Sequence, residues 1–230
     1  MLVLAIDTAT KIGSVALYDD KIGVIGELNI YVKINHSAVI MSMIDNLFKM
    51  TKLTINDVDR IAITVGPGSF TGIRIGVAVA KGLCYGTEKS IVGINELDLL
   101  ANNIEGFQGE IVSLIDARKE RVYYSIYEKN SELKRVSDYK DGEIRELLES
   151  LKGKTPIFCG DGAIAYESII KEILGEDAKI VTRANSIPRA VIAGQLSITR
   201  AEDNIYTLEP FYVNKSQAER EREERLSKNC

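Results

Sequence analysis

A strand–turn–strand pattern that occurs twice constrains the fold of this chain more than any other sequence feature. Residues 3–18 (VLAIDTATKIGSVALY) and residues 112–127 (VSLIDARKERVYYSIY) align at a constant offset of 109 positions. The identical pairs are Val3 and Val112, Ile6 and Ile115, Asp7 and Asp116, and Tyr18 and Tyr127. A strand that ends in a Gly-x-Gly turn also recurs, at 65–68 and 159–162. Two matched motifs in the same order indicate an internal duplication, whose halves meet near residues 103–108.

Each half is predicted to be an α/β lobe with a mixed sheet flanked by helices. The helices are predicted at residues 36–50, 70–85, 96–102, 143–151, 163–174 and 188–201. We predict a first lobe at 1–105, a second lobe at 106–214 and a charged tail at 215–230, which contains the run EREREER. Duplicated lobes with a hairpin and an aspartate turn at equivalent places resemble the actin, sugar-kinase and Hsp70 (ASKHA) superfamily. In that superfamily these turns face a nucleotide in the cleft between the lobes.

Composition excludes several kinds of functional site. The 230 residues contain 29 Lys and Arg against 33 Asp and Glu, a net charge of −4, which argues against a dedicated nucleic-acid binder. His36 is the single histidine, so a zinc site with two imidazoles on one helix cannot form. The three cysteines form no CxxC pair, which argues against a Cys-based zinc site. No run of 18 apolar residues is present, so we expect no membrane span. The odd cysteine count without motif spacing fits a reducing compartment, so we expect a cytoplasmic protein. With one histidine and no cysteine pair, we expect no metal.

Two polar turns are candidate anion sites. The candidate residues are Asp7, Thr8, Thr10, Gly66, Gly68, Ser69 and Thr71. After the first strand, a carboxylate and hydroxyls can hold Mg²⁺ or a phosphate oxygen, and at 66–71 the free N–H groups of a helix start favour negative charge. The alternatives are a turn that only satisfies its own backbone and a capped helix start, with Ser69 as N-cap, whose glycines permit close packing. Because Asp7 is the one obvious acid, we expect no required cofactor and only weak ATP or ADP binding, with a Kd of about 0.1 mM or weaker.

Two helices of the first half are apolar around most of their circumference. Residues 36–50 contain nine apolar side chains, and Arg74 and Lys81 are the charged residues of 70–85. Such a helix needs cover on two sides, and one lobe offers a sheet for one side. The second side is predicted to bind a partner protein; the alternative is that the two helices only cover each other. The predicted partner-facing residues are His36, Ile40, Met43, Leu47, Ile73, Val77 and Lys81.

Three segments resemble the TsaB family, also called YeaZ: LAIDTAT at 4–10, GPGSFTGIRIGVAVAKGL at 66–83 and DARKERVYYSIY at 116–127. The second segment is long and contiguous and therefore the most specific. The resemblance implies an actin-like two-lobed fold and a role in forming N6-threonylcarbamoyladenosine at position 37 of tRNAs that read codons beginning with A. It implies a non-catalytic subunit that supports the catalytic protein TsaD. TsaD-type proteins hold a metal through a His-x-x-x-His helix, which this chain lacks.

The same resemblance implies the partners. In the family the helices of the first lobe form a helical bundle with TsaD, or with a second TsaB copy when TsaD is absent, so we expect a homodimer of the isolated chain. A TsaE-like ATPase is a further candidate partner, and tRNA is expected to bind only through the complex. The alternatives are a nucleotide-hydrolysing or kinase-like enzyme that uses Asp7 and the loop at 66–71, and a metallopeptidase, against which the single histidine counts.

Two places depart from the family pattern. The family commonly has Gly-Glu or a similar pair before Val-Tyr, where this chain has Glu120 and Arg121. Near the end the family often reads Pro-x-Tyr-Leu-Arg, where residues 210–214 read PFYVN. The resemblance therefore implies no particular role or contact for the residues at these two places.

Overall fold

The computed structural model describes residues 1–33 and 36–213 of the chain. The predicted charged tail at 215–230 lies outside the described residues. Within the described part, no helix has the length and apolar character needed to cross a membrane.

The first half of the chain builds a five-stranded mixed sheet. Its strands are β1 (Leu2–Asp7), β2 (Ile12–Asp19), β3 (Gly23–Tyr31), β4 (Arg60–Gly66) and β5 (Ser90–Asn95), and its helices are α1 (His36–Thr51), α2 (Phe70–Thr87) and α3 (Glu96–Asn102). The strand order is β3-β2-β1-β4-β5. The first three strands are antiparallel neighbours, whereas β4 pairs parallel with β1 and β5 parallel with β4.

The second half repeats this topology. Its strands are β6 (Gly109–Asp116), β7 (Arg121–Lys129), β8 (Leu133–Arg135), β9 (Lys140–Glu143), β10 (Ile157–Cys159) and β11 (Lys179–Ile180). Its helices are α4 (Ile144–Ser150), α5 (Asp161–Ala165), α6 (Glu167–Leu174) and α7 (Ala190–Ser197). The strand order is β8-β7-β6-β10-β11, with β9 pairing beside β7. Numbered from its own first strand and with the additional strand β9 left out, each sheet has the order 3-2-1-4-5, which confirms the predicted duplication and the fold class.

Side-chain alternation along the strands divides the core into layers. On β1, Leu4 and Ile6 pack beneath α1 and α2, whereas Val3 and Ala5 face α3 and α7. The same alternation on β6 points one face to α3 and the other to α4 and α6. The layers are thus α1 and α2, the first sheet, α3 and α7, the second sheet, and the α4–α6 layer. Strand β1 and residues 111–115 of β6 are buried on both faces, which is why these stretches are mostly apolar.

Two details differ from the predicted elements. The helix predicted at 163–174 is divided into α5 and α6 at Tyr166, whose φ of −111° and ψ of 22° leave the helical region. Strands β8 and β9 were not predicted, because LKR and KDGE are short, charged segments without apolar alternation.

The last described segment lies with the first sheet. Helix α7 packs on β1, β2, β4 and β5, and residues beyond it continue along the first lobe. Asp203 N–H donates to Ile91 O (2.9 Å), and Phe211 N–H donates to Val65 O (2.7 Å). The lobe boundary predicted at 105/106 remains a prediction. Residues 190–213, which that prediction places in the second lobe, contact the first sheet.

Candidate functional site

The turn at residues 66–71 is closed by the turn of the first hairpin. Ser69 N–H donates to Ala9 O (2.7 Å). Thr8 Oγ1 donates to Gly72 O (2.8 Å). A Cβ placed on Gly68 would lie 2.3 Å from Ala9 O, and one placed on Gly72 would lie 2.1 Å from Thr8 O. These glycines therefore permit backbone-to-backbone packing, and protein fills the space in front of the turn.

At this turn the structure shows a capped helix start, and anion binding there remains a prediction. Ser69 is the predicted N-cap of α2, and its Oγ accepts a hydrogen bond from Gly72 N–H (3.2 Å). Gly66 is buried and Thr71 is exposed on the outer face of α2. The alternative interpretation, a capped helix start with glycines for close packing, is the observed one.

The turn after β1 also satisfies much of its own backbone. Asp7 is fully buried, and its Oδ1 accepts hydrogen bonds from Ala9 N–H (2.8 Å) and Thr64 Oγ1 (2.8 Å). Thr10 Oγ1 accepts from Ile12 N–H (3.1 Å). Of the seven candidate anion-binding residues, Thr10 also lines the cavity between the lobes.

A cavity of about 480 Å³ lies where the two lobes face each other. Thr10 and Lys11, which follow β1, line one side, and Asp116 and Asp161, which follow β6 and β10, line the other. Arg183 adds a second cation. These positions are the carboxyl ends of parallel strands, where open α/β sheets bind ligands. The two turns that the duplication pairs thus reach one cavity, although the loop at 66–71 does not line it.

Asp116 is held firmly on the second-lobe side of this cavity. Its Oδ1 accepts from Tyr166 Oη (2.7 Å) and from Arg118 N–H (2.8 Å), and its own N–H donates to Asp161 Oδ1 (3.0 Å). Burial, together with the hydrogen bond to Asp116, raises the pKa of Tyr166 to about 12. The Tyr166 hydroxyl is therefore a neutral donor at physiological pH.

Glu96, the first residue of α3, is a buried acid that the sequence did not reveal. Its side chain is fully buried, and among the described residues neither carboxyl oxygen has a hydrogen-bonding donor. Burial, and then the adjacent Asp7 carboxyl, raise the pKa of Glu96 well above its usual range, and Asp161 adds to the rise. An acid at a helix start is common because it complements the helix dipole. The position of Glu96 in the sequence therefore did not indicate that its side chain is buried.

The structure corrects the choice of partner-facing residues. Ile40, Met43 and Leu47 on α1 and Ile73 and Val77 on α2 pack under the helices in the core of the first lobe. Their 3–4-residue spacing forms the stripe that the sheet covers. Their side chains therefore cannot form the surface of the isolated chain.

The other two predicted residues have different positions. Lys81 is half-buried, and its Nζ donates to Leu208 O (3.1 Å), which ties the last described segment to α2. Helix α1 begins at His36, whose side chain lies outside the described part of the structure.

The outer faces of α1 and α2 carry a different set of apolar residues. The exposed large side chains there are Met41, Met50, Phe70 and Tyr85, four of the eleven exposed large hydrophobic residues in the described chain. Tyr206 extends this surface, since its ring packs edge-on against Tyr85 with centroids 6.4 Å apart. The two helices are thus covered by the sheet on one side only.

Comparison with known proteins supports one family. The family model of TsaD, tRNA N6-adenosine threonylcarbamoyltransferase, matches residues 18–221. The tRNA threonylcarbamoyladenosine biosynthesis protein TsaB of Bacillus subtilis (strain 168) is 32% identical over 222 residues, 95% of this chain and 96% of that protein. The TsaB protein of Escherichia coli (strain K12) is 34% identical over 184 residues, 75% of this chain and 76% of that protein.

Solved structures show the same fold. A Pseudomonas aeruginosa protein described as similar to peptidase YeaZ superposes with a TM-score of 0.78 at 21% identity, over 93% of this chain and 99% of that one. YeaZ from Pseudomonas aeruginosa superposes with a TM-score of 0.75 at 21% identity, over 92% of this chain and 99% of that one. The resemblance of the three sequence segments is thereby confirmed, and the chain belongs to the TsaB (YeaZ) family.

Proposed function

We propose that this chain is a non-catalytic subunit in tRNA threonylcarbamoyladenosine biosynthesis, and that it binds and supports a TsaD-like protein. The complex would transfer threonylcarbamoyl to N6 of adenosine 37 in tRNAs that read codons beginning with A. The names of the relatives support the pathway, since both are biosynthesis proteins of this modified nucleoside. The finer role, that of a scaffold without its own chemistry, is our inference.

The observation that carries the proposal is the set of exposed apolar side chains on α1 and α2, which on α1 flank the polar residues Ser42, Asp45 and Lys49. Met41, Met50, Phe70 and Tyr85 lie there, on helices whose opposite side is already packed on the sheet. A stable complex needs only about 800 Å² of buried surface per partner. The TsaD family model matches most of this chain, so a TsaD-like partner is expected to have an equivalent helical face. Two such faces can pack as a helical bundle, and a second copy of this chain can take the partner's place.

Two features favour a supporting role over catalysis. The single histidine cannot supply the two imidazoles of the metal site in TsaD-type proteins. Asp7, which the enzyme alternative would use, is fully buried, and Thr8 and Ala9 after it pack against the turn that begins α2. Binding of a TsaE-like ATPase, and of tRNA only through the complex, belongs to the same proposal.

We also propose weak nucleotide binding, in the cavity between the lobes instead of at the loop 66–71. The cavity between the lobes, with Lys11 and Arg183 at its edge, is large enough for a nucleotide, whereas the loop at 66–71 is filled. Opposite charges from Asp116 and Asp161 face these two cations, which limits the attraction for a polyanion. ATP or ADP is therefore expected to bind weakly, without being required.

The test compares two apolar-to-Asp substitutions at exposed positions. Met41 is 47% exposed on α1, and Val136 is 54% exposed in the second lobe, remote from α1 and α2 in sequence. Met41→Asp should weaken binding of the purified TsaD-like protein at least about tenfold, because a charge would be buried at the interface, and should lower tRNA modification in parallel. Val136→Asp should change neither quantity.

Self-association is measured in the same way. Light scattering of the isolated chain at tens of micromolar should show a dimer that Met41→Asp dissociates. Both variants should unfold at urea concentrations close to wild type, because neither site is in the core. Equal binding of the TsaD-like protein by Met41→Asp and wild type would refute this surface, and modification activity by the isolated chain would refute the scaffold role.

A further inference from the structure

Two buried carboxyl groups meet beside the cleft between the lobes. Asp7 ends β1, Glu96 begins α3, and both side chains have no exposed surface. Asp7 Oδ1 accepts from Ala9 N–H and from Thr64 Oγ1. Glu96 has no such donors among the described residues; the polar group that acts on it most closely is the Asp7 carboxyl.

The chemistry of this contact requires a proton. An ionised carboxylate only accepts hydrogen bonds, so two carboxylates cannot bond to each other. A buried carboxylate without donors also loses its hydration, which strongly favours the neutral form. With one proton, Glu96 becomes a donor to Asp7, and the pair carries one negative charge that Thr64 and the Ala9 N–H stabilise.

The surroundings favour the protonated pair. Asp161, at the start of α5, acts on Glu96 from the second lobe and raises its pKa; Asp116 of β6 lies next to Asp161 and raises the pKa of Asp161. Lys11 acts on Asp161 from the turn after β1, but no cation raises the ionised fraction of Glu96 itself. On its own helix, Asp98 is engaged with Arg200 and with Tyr127 Oη. Within the described residues, no three side chains of the metal-binding types come together.

We propose that Asp7 and Glu96 hold one proton between them, and that this proton ties the end of β1 to the start of α3 beneath the interlobe cleft. Helix α3 contacts both sheets, so the contact joins the first strand of one lobe to the layer that both lobes share. Loss of the proton, as the pH rises through the raised pKa of the pair, places two negative charges in contact and loosens this junction. The pair is therefore a pH-sensitive connection within the fold.

The direction of the pH dependence follows from linkage. An unfolded glutamate loses its proton near pH 4.3, whereas the folded pair retains it to a higher pH. The contribution to stability is thus complete below the ordinary pKa and is lost as pH rises through the raised pKa. Across that interval the unfolding equilibrium constant should increase about tenfold per pH unit from this pair alone.

The experiment compares urea unfolding of wild type and Glu96→Gln between about pH 5 and pH 9. The glutamine amide donates permanently, so the ratio of the two unfolding constants should shift about tenfold per pH unit in favour of the variant. The ratio should become constant above the pKa of the pair. Glu105→Gln, the same change at an exposed residue just after α3, is the matched control and should give a flat ratio.

A flat ratio for Glu96→Gln would overturn the proposal. So would a stabilisation by millimolar Mg²⁺ or K⁺ that replaces the pH dependence, because a cation rather than a proton would then bridge the pair. A second measurement keeps the test valid if Glu96→Gln does not fold. The infrared C=O band of a protonated carboxylic acid should be present in wild type at pH 6, where ordinary carboxyl groups are ionised, and should disappear as the pH rises through the raised pKa. Its absence at pH 6 would also refute the shared proton.

Discussion

The packing of the hairpin turn against α2 predicts opposite outcomes for the same substitution at two glycines of one helix. Gly72 lies in the first turn of α2, where an added Cβ would lie 2.1 Å from Thr8 O. Gly82 lies further along α2, and an added Cβ there meets nothing within 4 Å. Gly72→Ala and Gly82→Ala therefore form a matched pair with identical chemistry and different surroundings.

The magnitude follows from two terms. Alanine is favoured over glycine in a helix by about 1 kcal/mol at interior positions, and this term applies to both variants. At Gly72 the opposing atom is backbone, so relieving the contact from 2.1 Å to beyond 3.0 Å requires the hairpin turn or the helix to move. Overpacking of this kind costs about 1–3 kcal/mol. The propensity term largely cancels in the comparison, so Gly72→Ala should be about 1–3 kcal/mol less stable than Gly82→Ala.

Urea unfolding followed by circular dichroism measures the difference. Gly82→Ala should unfold at a higher urea concentration than wild type, and Gly72→Ala at a lower one, with similar m-values. The protein concentration is kept low enough for the midpoint to be independent of it, because Gly82 lies on the proposed partner face. Equal stability of the two variants would refute close packing as the role of Gly72 and would reopen the turn at 66–71 as a ligand site.

Two further predictions concern the second lobe and the cleft. Glu120 has a left-handed backbone with φ of 57°, which glycine adopts without strain, and its ion pair with Arg145 is exposed. Glu120→Gly should therefore raise the free energy of unfolding by about 0.5 kcal/mol or more. A lower melting temperature of the variant would contradict this backbone conformation. Calorimetry should give a Kd for ATP of about 0.1 mM or weaker, weakened further when Lys11 and Arg183 are replaced by Ala but not when Ser69 is; micromolar binding would favour the enzyme alternative.

Much of the architecture could be predicted because a strand that is buried on both faces has a mostly apolar sequence. β1 and residues 111–115 of β6 are buried on both faces, so both strands are mostly apolar and end in Ile-Asp, and this pair revealed the duplication. Helix α3 has the predicted bounds. Strands β8 and β9 could not be predicted in this way, because they are short and charged. The break between α5 and α6 at Tyr166 also has no local sequence pattern that marks it.

The candidate site was predicted less completely, for a related reason. A Gly-Pro-Gly-Ser turn before a helix is equally suited to binding an anion and to packing against another turn, and the difference depends on whether Thr8 and Ala9 occupy the space in front. Likewise, Glu96 follows the ordinary preference for an acid at a helix start, and its burial depends on α3 lying between two sheets.

The sequence by itself determined that the chain has two similar α/β halves, that it cannot hold a metal through two histidines, and which family it resembles. These properties depend on residue type and spacing, which folding does not change. The tertiary structure alone decided which side of α1 and α2 is free. A helix that is apolar around most of its circumference can dock on a sheet through more than one face, and packing of Ile40, Leu47 and Ile73 against the first sheet left Met41 and Tyr85 outside. It also decided that Asp7 and Glu96 meet. In the chain 88 residues lie between them, and the parallel pairing of β1, β4 and β5 brings the end of β1 near the start of α3.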